Sequence, residues 1–115
     1  MTIDKNLLVV FTGSEIGQGA ADLGEKLTGL MLGRFAAENT RPAKMIFLNS
    51  AVFLTTEGTA HADVLRTLEE GGTEIVSCIT CLTYHDRMEK VVVGTRGDMK
   101  GTVEDLLGFS KVVTL

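Results

Sequence analysis

The stretch NLLVVFTGSEIGQGAADLGEKL, residues 6–27, changes its pattern twice. Residues 6–11 form a near-continuous apolar run, which is typical of a strand buried on both faces. The polar, glycine-rich residues 12–19 must then form a loop. A stripe of apolar residues follows at helical spacing and comprises Ala20, Leu23, Leu27, Leu30 and Met31. The stretch therefore predicts a strand, a loop and a helix that turns this stripe toward the core.

The rest of the chain repeats this alternation. Pro42 ends the first helix and precedes the next strand, because proline cannot continue a helix. Gly71 and Gly72 stop the second helix, and Asp98 suits the N-cap of the last one. After the first helix the sequence predicts, in order, a strand at 44–49, a helix at 60–70, a strand at 73–78, a short helical stretch around Leu82, a strand at 90–95, a helix at 98–107 and a strand at 111–115.

Apolar side chains are expected to tie these elements together. Val64, Leu65 and Leu68 form the inner face of the second helix. Val52 and Phe53 are expected to pack back onto the core from their loop. The last helix carries apolar residues at helical spacing, namely Met99, Val103, Leu106 and Leu107.

Strands that alternate with helices in this way predict an α/β fold with a mainly parallel, five-stranded sheet, helices on both faces and right-handed crossovers. All carboxyl ends of parallel strands lie at one edge of the sheet, where ligands bind. Four loops follow predicted strands: TGSEIGQG, SAVFLTTEGT, CITC and GTRGD. We therefore expect these loops to meet at one edge.

Length and composition limit the possible functions. The 115 residues fit one domain spanning 1–115, and 44% hydrophobic with 23% charged residues is typical of a folded protein. A net charge of −4 with scattered Lys and Arg argues against nucleic acid as a partner. The chain has no apolar segment long enough to cross a membrane, and MTIDKNLLVV is unlike a signal peptide. We expect a cytoplasmic protein, with reduced thiols and no membrane partner.

The only cysteines, Cys78 and Cys81, have CxxC spacing at the end of the third predicted strand. A thiol at a strand end that begins a helix meets free backbone N–H groups, which favour the nucleophilic thiolate. This predicts Cys78 as a functional thiol, whereas Cys81 is equally compatible with a second thiol or a packed residue. A zinc site would need two more ligands, and only His61 and His85 could add to it. A thioredoxin-like site is disfavoured, because the single proline lies at the opposite edge.

Polar residues in the converging loops are candidate pocket residues. TGSEIGQG resembles a phosphate-cradling loop but matches neither a dinucleotide fingerprint nor a P-loop, so a tight turn or a small-ligand site remains open. His85 is either a base beside the thiols or a solvent-facing side chain. We expect the following residues to line a pocket with the cysteines: Ser14, Glu15, Gly17, Gly19, Asn49, Thr55, Thr56, Glu57, Tyr84 and Arg96.

Three segments resemble a known family. FTGSEIGQGAADLG (11–24), FLNSAVFLTTEGT (47–59) and EIVSCITCLTY (74–84) are similar, in order and spacing, to YedF-type selenium-metabolism proteins of the DsrE/DsrF-like sulfur-relay superfamily. The resemblance covers about Asn6 to Leu115. In LTYHDRMEK, however, Thr83 stands where the branch has an acidic residue, and His85 stands near its aromatic pair.

This resemblance implies a three-layer α/β/α sandwich, a homo-oligomer and a role in sulfur or selenium trafficking. Cys78 matches the position at which the superfamily carries sulfur as a persulfide, and Cys81 matches a second cysteine of this branch. The branch often has a further domain of the TusA/SirA kind, which these residues do not contain. The sequence is then either a stand-alone form or the C-terminal domain of a longer protein, and a separate partner of the TusA/SirA kind is one way to supply the other domain. We therefore expect a carrier with Cys78 as nucleophile and Cys81 resolving the adduct, protein donors and acceptors, and no metal or organic cofactor. The alternative is a non-catalytic binding module that uses the glycine-rich loop for a small ligand or partner.

Overall fold

A computed structural model describes the whole chain, Met1–Leu115. The strands are β1 (Thr2–Phe11), β2 (Thr40–Phe47), β3 (Glu74–Cys78), β4 (Thr95–Gly97) and β5 (Lys111–Thr114). The α-helices are α1 (Ala21–Ala37), α2 (Ala62–Glu70), α3 (Ile79–Tyr84) and α4 (Met99–Gly108), and a 3₁₀-helix spans Asn49–Leu54. No helix here combines the length and apolarity needed to span a bilayer.

All five strands lie parallel in one sheet with the order β4-β3-β2-β1-β5. The connections through α1 and α2 each lead to the next strand toward the β4 edge of the sheet. The connection through α4 runs back across the sheet and places β5 beside β1. Because crossovers between parallel strands share one handedness, α4 must lie on the opposite face of the sheet from α1 and α2. The predicted parallel α/β sheet with helices on both faces is confirmed.

The two faces of the sheet are unequally covered. On one face α1 and α2 bury a large core that includes Leu32, Leu65 and Leu68. On the other face, four buried strand residues form a smaller core: Leu8, Val10, Ile46 and Val76. Helix α4 covers this second face, and the Lys44 ammonium lies 2.6 Å from the Asp105 carboxylate across the layer. The second face therefore depends on a single full helix.

The predicted inner stripe of α1 is wrong. Leu23 and Leu30 are 55% and 61% exposed, whereas Gly24, Thr28 and Leu32 face the core. The Thr28 hydroxyl donates to the Ser14 carbonyl at 3.0 Å, and a Cβ on Gly24 would lie 2.9 Å from the Glu15 Cβ. Because α1 carries apolar residues around most of its surface, packing against the glycine-rich loop sets its orientation.

The predicted fourth strand is also misplaced. Residues 90–94 form no ladder with β3, and β4 begins only at Thr95. Val91 makes an isolated antiparallel bridge to Thr56, and Val93 joins the larger core. Gly94 then turns the chain with a φ of 80° against the Ile75 carbonyl. The valine run is apolar because Val92 and Val93 pack against the larger core, not because the run lies in the sheet.

Two further boundaries test the sequence interpretation. Pro42 lies inside β2 rather than before it. It occurs where the register between β1 and β2 is irregular, so a missing N–H donor is tolerated.

The predicted N-cap of α4 is confirmed, since the Asp98 carboxylate accepts the Gly101 N–H at 2.8 Å. The apolar residues of α4 do share one side of the helix, but that side is exposed.

Candidate functional site

The loops after the first three strands meet at the carboxyl edge of the sheet. The Ser14 N–H donates to the Ser50 hydroxyl at 3.1 Å, which joins the first loop to the second. The Asn49 N–H donates to the Cys81 sulfur at 3.0 Å, which joins the second to the third. This part of the predicted convergence is confirmed. GTRGD differs, because Thr95–Gly97 is itself the fourth strand.

Both cysteines are free thiols, but only one faces solvent. Cys78 ends β3 and is 1% exposed. Cys81 lies one turn later on α3 and is half-buried, and the neighbouring Cys78 thiol contributes to raising its pKa. A reagent from solvent therefore meets Cys81 first, with Cys78 directly behind it.

The backbone of Asn49 is shaped to face the Cys81 sulfur. Asn49 has a φ of 55°, a left-handed conformation that asparagine tolerates better than most residues. Burial, followed by the neighbouring Cys78 thiol, raises the pKa of the Cys81 thiol, and the Asn49 N–H opposes this rise. Donation from a backbone N–H stabilises negative charge on sulfur, so this contact is placed to support an anionic form of Cys81.

Alkylation should reveal this arrangement. Because thiolate is the reactive form and the pKa of Cys81 is raised, iodoacetamide should modify Cys81 more slowly than a free cysteine at neutral pH. The rate should still be rising at pH values where a free thiol has levelled off. Cys78 should be modified at least about 10²-fold more slowly than Cys81, since it reacts only after local opening. Peptide mapping of both residues across pH measures this; faster labelling of Cys78 would contradict it.

Cys81 opens into a cavity of about 380 Å³. The cavity is lined by Asn49, Thr80, Cys81, Tyr84 and His85, so it contains no Asp, Glu, Lys or Arg. The Tyr84 side chain is 85% exposed and forms part of the rim. An uncharged cavity with a thiol at its wall suits a neutral or singly ionised thiol compound or an extended peptide segment better than a highly charged ligand.

Aromatic packing fixes the His85 side of this cavity. The imidazole lies 4.6 Å from the Phe53 ring centroid and 5.0 Å, edge to face, from the Tyr84 ring centroid. The Arg87 guanidinium lies 4.8 Å from the Phe53 centroid and donates to the Glu57 carbonyl at 2.8 Å. These contacts hold the segment after α3 against the loop after β2.

A second cavity, of about 430 Å³, lies beside the glycine-rich loop. It is lined by Ser14, Glu15, Glu25, Phe53, Leu54, Gly58, Thr59, Ala60 and His61. Its two carboxylates and lack of Lys or Arg disfavour a phosphate or nucleotide. Gly17 and Gly19 line a separate depression that includes Glu15 and Ser50. The surroundings of the glycine-rich loop therefore do not favour phosphate binding.

The predicted pocket residues separate into groups. Asn49 and Tyr84 share the cysteine cavity, whereas Ser14, Glu15, Gly17 and Gly19 line the other depressions. Thr55 and Thr56 are fully buried, and the Thr55 and Ser77 hydroxyls are 2.6 Å apart in the core. The Glu57 backbone holds Arg87 and Lys90, and the Arg96 Nε donates to the Met88 carbonyl at 2.7 Å. Thr55, Thr56, Glu57 and Arg96 do not line the cavity at Cys81.

Sequence reasoning missed two residues of the site and left the position of His85 open. Thr80 was not considered, and Phe53 was assigned to the core although its ring faces His85. The position of His85 could have been derived, because residues four apart on a helix share a face and Cys81 is four residues earlier. No group of three or more His, Cys, Asp or Glu side chains is arranged to bind a metal ion.

Comparisons with known proteins inform the fold. No protein-family model matches the sequence, and no curated protein shows significant similarity to it. Among solved structures, the YchN protein from E. coli is similar with a TM-score of 0.66 and 15% identity over 96% of this chain and 99% of that one. MTH1491 from Methanobacterium thermoautotrophicum, a protein of unknown function, is similar with a TM-score of 0.70 and 10% identity over 97% of this chain and 100% of that one. The protein has a DsrE-like fold.

Proposed function

We propose that this protein carries sulfane sulfur, or the equivalent selenium, as a persulfide-type adduct on Cys81. The observation that carries the proposal is the thiol pair: a solvent-facing thiol at an uncharged cavity and a second, buried thiol three residues earlier in the chain. The sequence favoured Cys78 as the first nucleophile. Its burial is the reason for assigning that role to Cys81 and the resolving role to Cys78.

Loading and transfer are two thiol exchange reactions. The Cys81 thiolate attacks the outer sulfur of a donor persulfide, the donor sulfur–sulfur bond breaks, and the donor leaves as a thiolate. An acceptor thiolate then attacks the outer sulfur on Cys81 and restores the Cys81 thiolate. The Asn49 N–H stabilises the Cys81 thiolate that attacks during loading and that transfer restores. Neither step changes the net number of electrons held by the protein.

Cys78 offers the adduct a second route. Its thiolate can attack the inner sulfur of the Cys81 persulfide, forming a Cys78–Cys81 disulfide and releasing hydrosulfide. A dithiol reductant would then be needed to restore both thiols. This route competes with transfer, so the acceptor must reach the cavity before Cys78 reacts. The donors and acceptors that suit this site are protein thiols, including a partner of the TusA/SirA kind that the resemblance implied.

Intact mass spectrometry tests the proposal. Wild type, Cys78→Ser and Cys81→Ser proteins are incubated with glutathione persulfide, desalted and measured without reductant. We expect a transient one-sulfur adduct in the wild type, its accumulation in Cys78→Ser and its absence in Cys81→Ser. A lack of sulfur addition to any of the three proteins would refute the carrier function.

We also propose that a second copy of this chain covers the exposed apolar side of α4. This side comprises Met99, Val103, Leu106 and Leu107, of which Leu107 is 82% exposed. The sheet face beneath has the smaller core and only one full helix over it. Contiguous apolar surface of this kind marks interaction sites, and a homo-oligomer is what the sequence resemblance implied.

A further inference from the structure

The cavity at Cys81 contains one side chain suited to proton exchange near neutral pH. Cys81 and His85 are four residues apart, at α3 and its C-cap, and both line the cavity. Both side chains border the same space of about 380 Å³, which is open to a reacting group. Imidazole is the group most often used to move a proton to or from a reacting atom.

The surroundings of His85 hold the ring without providing a competing acid or base. Phe53 and Tyr84 contact the imidazole, as described above. The charged groups nearest in the chain are Asp86, which is exposed, and Arg87, which is held over Phe53 and by the Glu57 carbonyl. The titratable side chains that face the cavity with His85 are Cys81 and Tyr84. The imidazole is therefore positioned by packing and left free to exchange a proton with a bound reactant.

Persulfide exchange at the Cys81 sulfur needs a group that can give and take protons. The thiolate that leaves the donor needs a proton, and the acceptor thiol must lose one before it attacks. Both groups would occupy the cavity beside the Cys81 sulfur, on the side where the imidazole lies. The raised pKa of Cys81 adds to this need, because its own proton must also be removed before loading.

We propose that His85 is the proton-transfer residue of the carrier site: it takes the proton from the Cys81 thiol, gives it to the departing donor thiolate, and later takes the proton of the acceptor thiol. Over loading, the proton moves from Cys81 to the donor through the imidazole, which ends neutral as it began. During transfer, the proton of the acceptor passes back to the Cys81 thiolate. This role rests on the proposed carrier function and extends it to a named residue.

Single-turnover loading tests the role. Cys78→Ser protein, in which the adduct accumulates, is compared with the same protein carrying His85→Gln. Its matched control carries His61→Gln, which changes the chain's other histidine in the separate cavity. Rates are measured across pH with an alkyl persulfide and with an aryl persulfide. An aryl thiolate leaves well without a proton, so general acid catalysis matters less to it.

His85→Gln should slow loading from the alkyl donor at neutral pH by about 10²-fold, and the aryl donor by much less. It should also change how the loading rate depends on pH, whereas His61→Gln should leave both the rates and their pH dependence unchanged. Free imidazole should partly restore loading in His85→Ala. Equal slowing for both donors, or no slowing, would overturn the role while leaving the carrier function intact. If the Cys78→Ser protein with His85 intact takes up no sulfur, the carrier function itself is rejected.

Discussion

Replacing Gly94 with alanine is expected to lower the free energy of unfolding by about 3 kcal/mol. Gly94 has a φ of 80°, which a residue with a Cβ rarely adopts. An added Cβ would lie 2.4 Å from the Ile75 carbonyl oxygen and 2.7 Å from the Ile75 Cγ2. These atoms belong to β3, which is paired on both sides, so β3 cannot move aside without disturbing β2 and β4.

Urea denaturation of Gly94→Ala and Gly33→Ala measures this effect. Gly33 is the matched control, because it lies in α1 with no atom within 4 Å of an added Cβ. Alanine at Gly33 should stabilise the fold by about 0.5–1 kcal/mol, since it favours helix more than glycine does. If both variants unfolded at the same urea concentration, the close contact between Gly94 and Ile75 would be contradicted.

Replacing Leu107 with aspartate is expected to convert the proposed homo-oligomer into monomers. In a symmetric pair each substitution occurs twice, and a charge buried without a partner costs several kcal/mol. The dissociation constant should therefore rise by at least about 10³-fold, because each 1.4 kcal/mol is a factor of ten. Sedimentation velocity of the wild type and the variant at several concentrations measures the change.

Leu30→Asp provides the control on the other side of the sheet. Leu30 is also exposed, at 61%, but it lies on α1, which packs over the opposite face from α4. This variant should keep the wild-type assembly. A wild type that is monomeric, or an assembly lost with Leu30→Asp and kept with Leu107→Asp, would show that α4 is not the interface.

Patterns of two kinds carried the correct part of the fold prediction. Buried strands appear as continuous apolar runs, and the runs in β1, β2 and β3 were located because their central residues are buried on both sides. The alternation with helices then defined a parallel sheet. Strand order could not follow, since it depends on which strands pair after the chain has folded.

The structure predictions failed where apolar residues were taken to be buried in the core or in a strand and are not. Leu23 and Leu30 of α1 are apolar and exposed, so spacing alone could not distinguish the two sides of the helix. Its true inner side uses Gly24 and Thr28, which pack against loop backbone and give no hydrophobic signal. The run at 90–94 was similarly apolar without being a strand.

The sequence predicted which edge of the sheet carries the site, but not which side chains face solvent there. The sequence placed Cys78, Cys81 and the Asn49 loop at one end of the sheet, which follows from parallel topology. Which thiol faces solvent depends on how α3 leaves β3, and the burial of Cys78 is why we propose Cys81 as the first nucleophile. The contact from the Asn49 N–H depends on a left-handed backbone that composition does not reveal.

Locating the first sulfur atom in the wild-type protein tests the central claim most directly. The protein is mixed with glutathione persulfide, trapped after short times with an alkylating reagent, digested and analysed by tandem mass spectrometry. We expect the earliest added sulfur on Cys81, followed by loss of that sulfur as a Cys78–Cys81 disulfide forms. First appearance of the added sulfur on Cys78, with Cys81 still a free thiol, would contradict it.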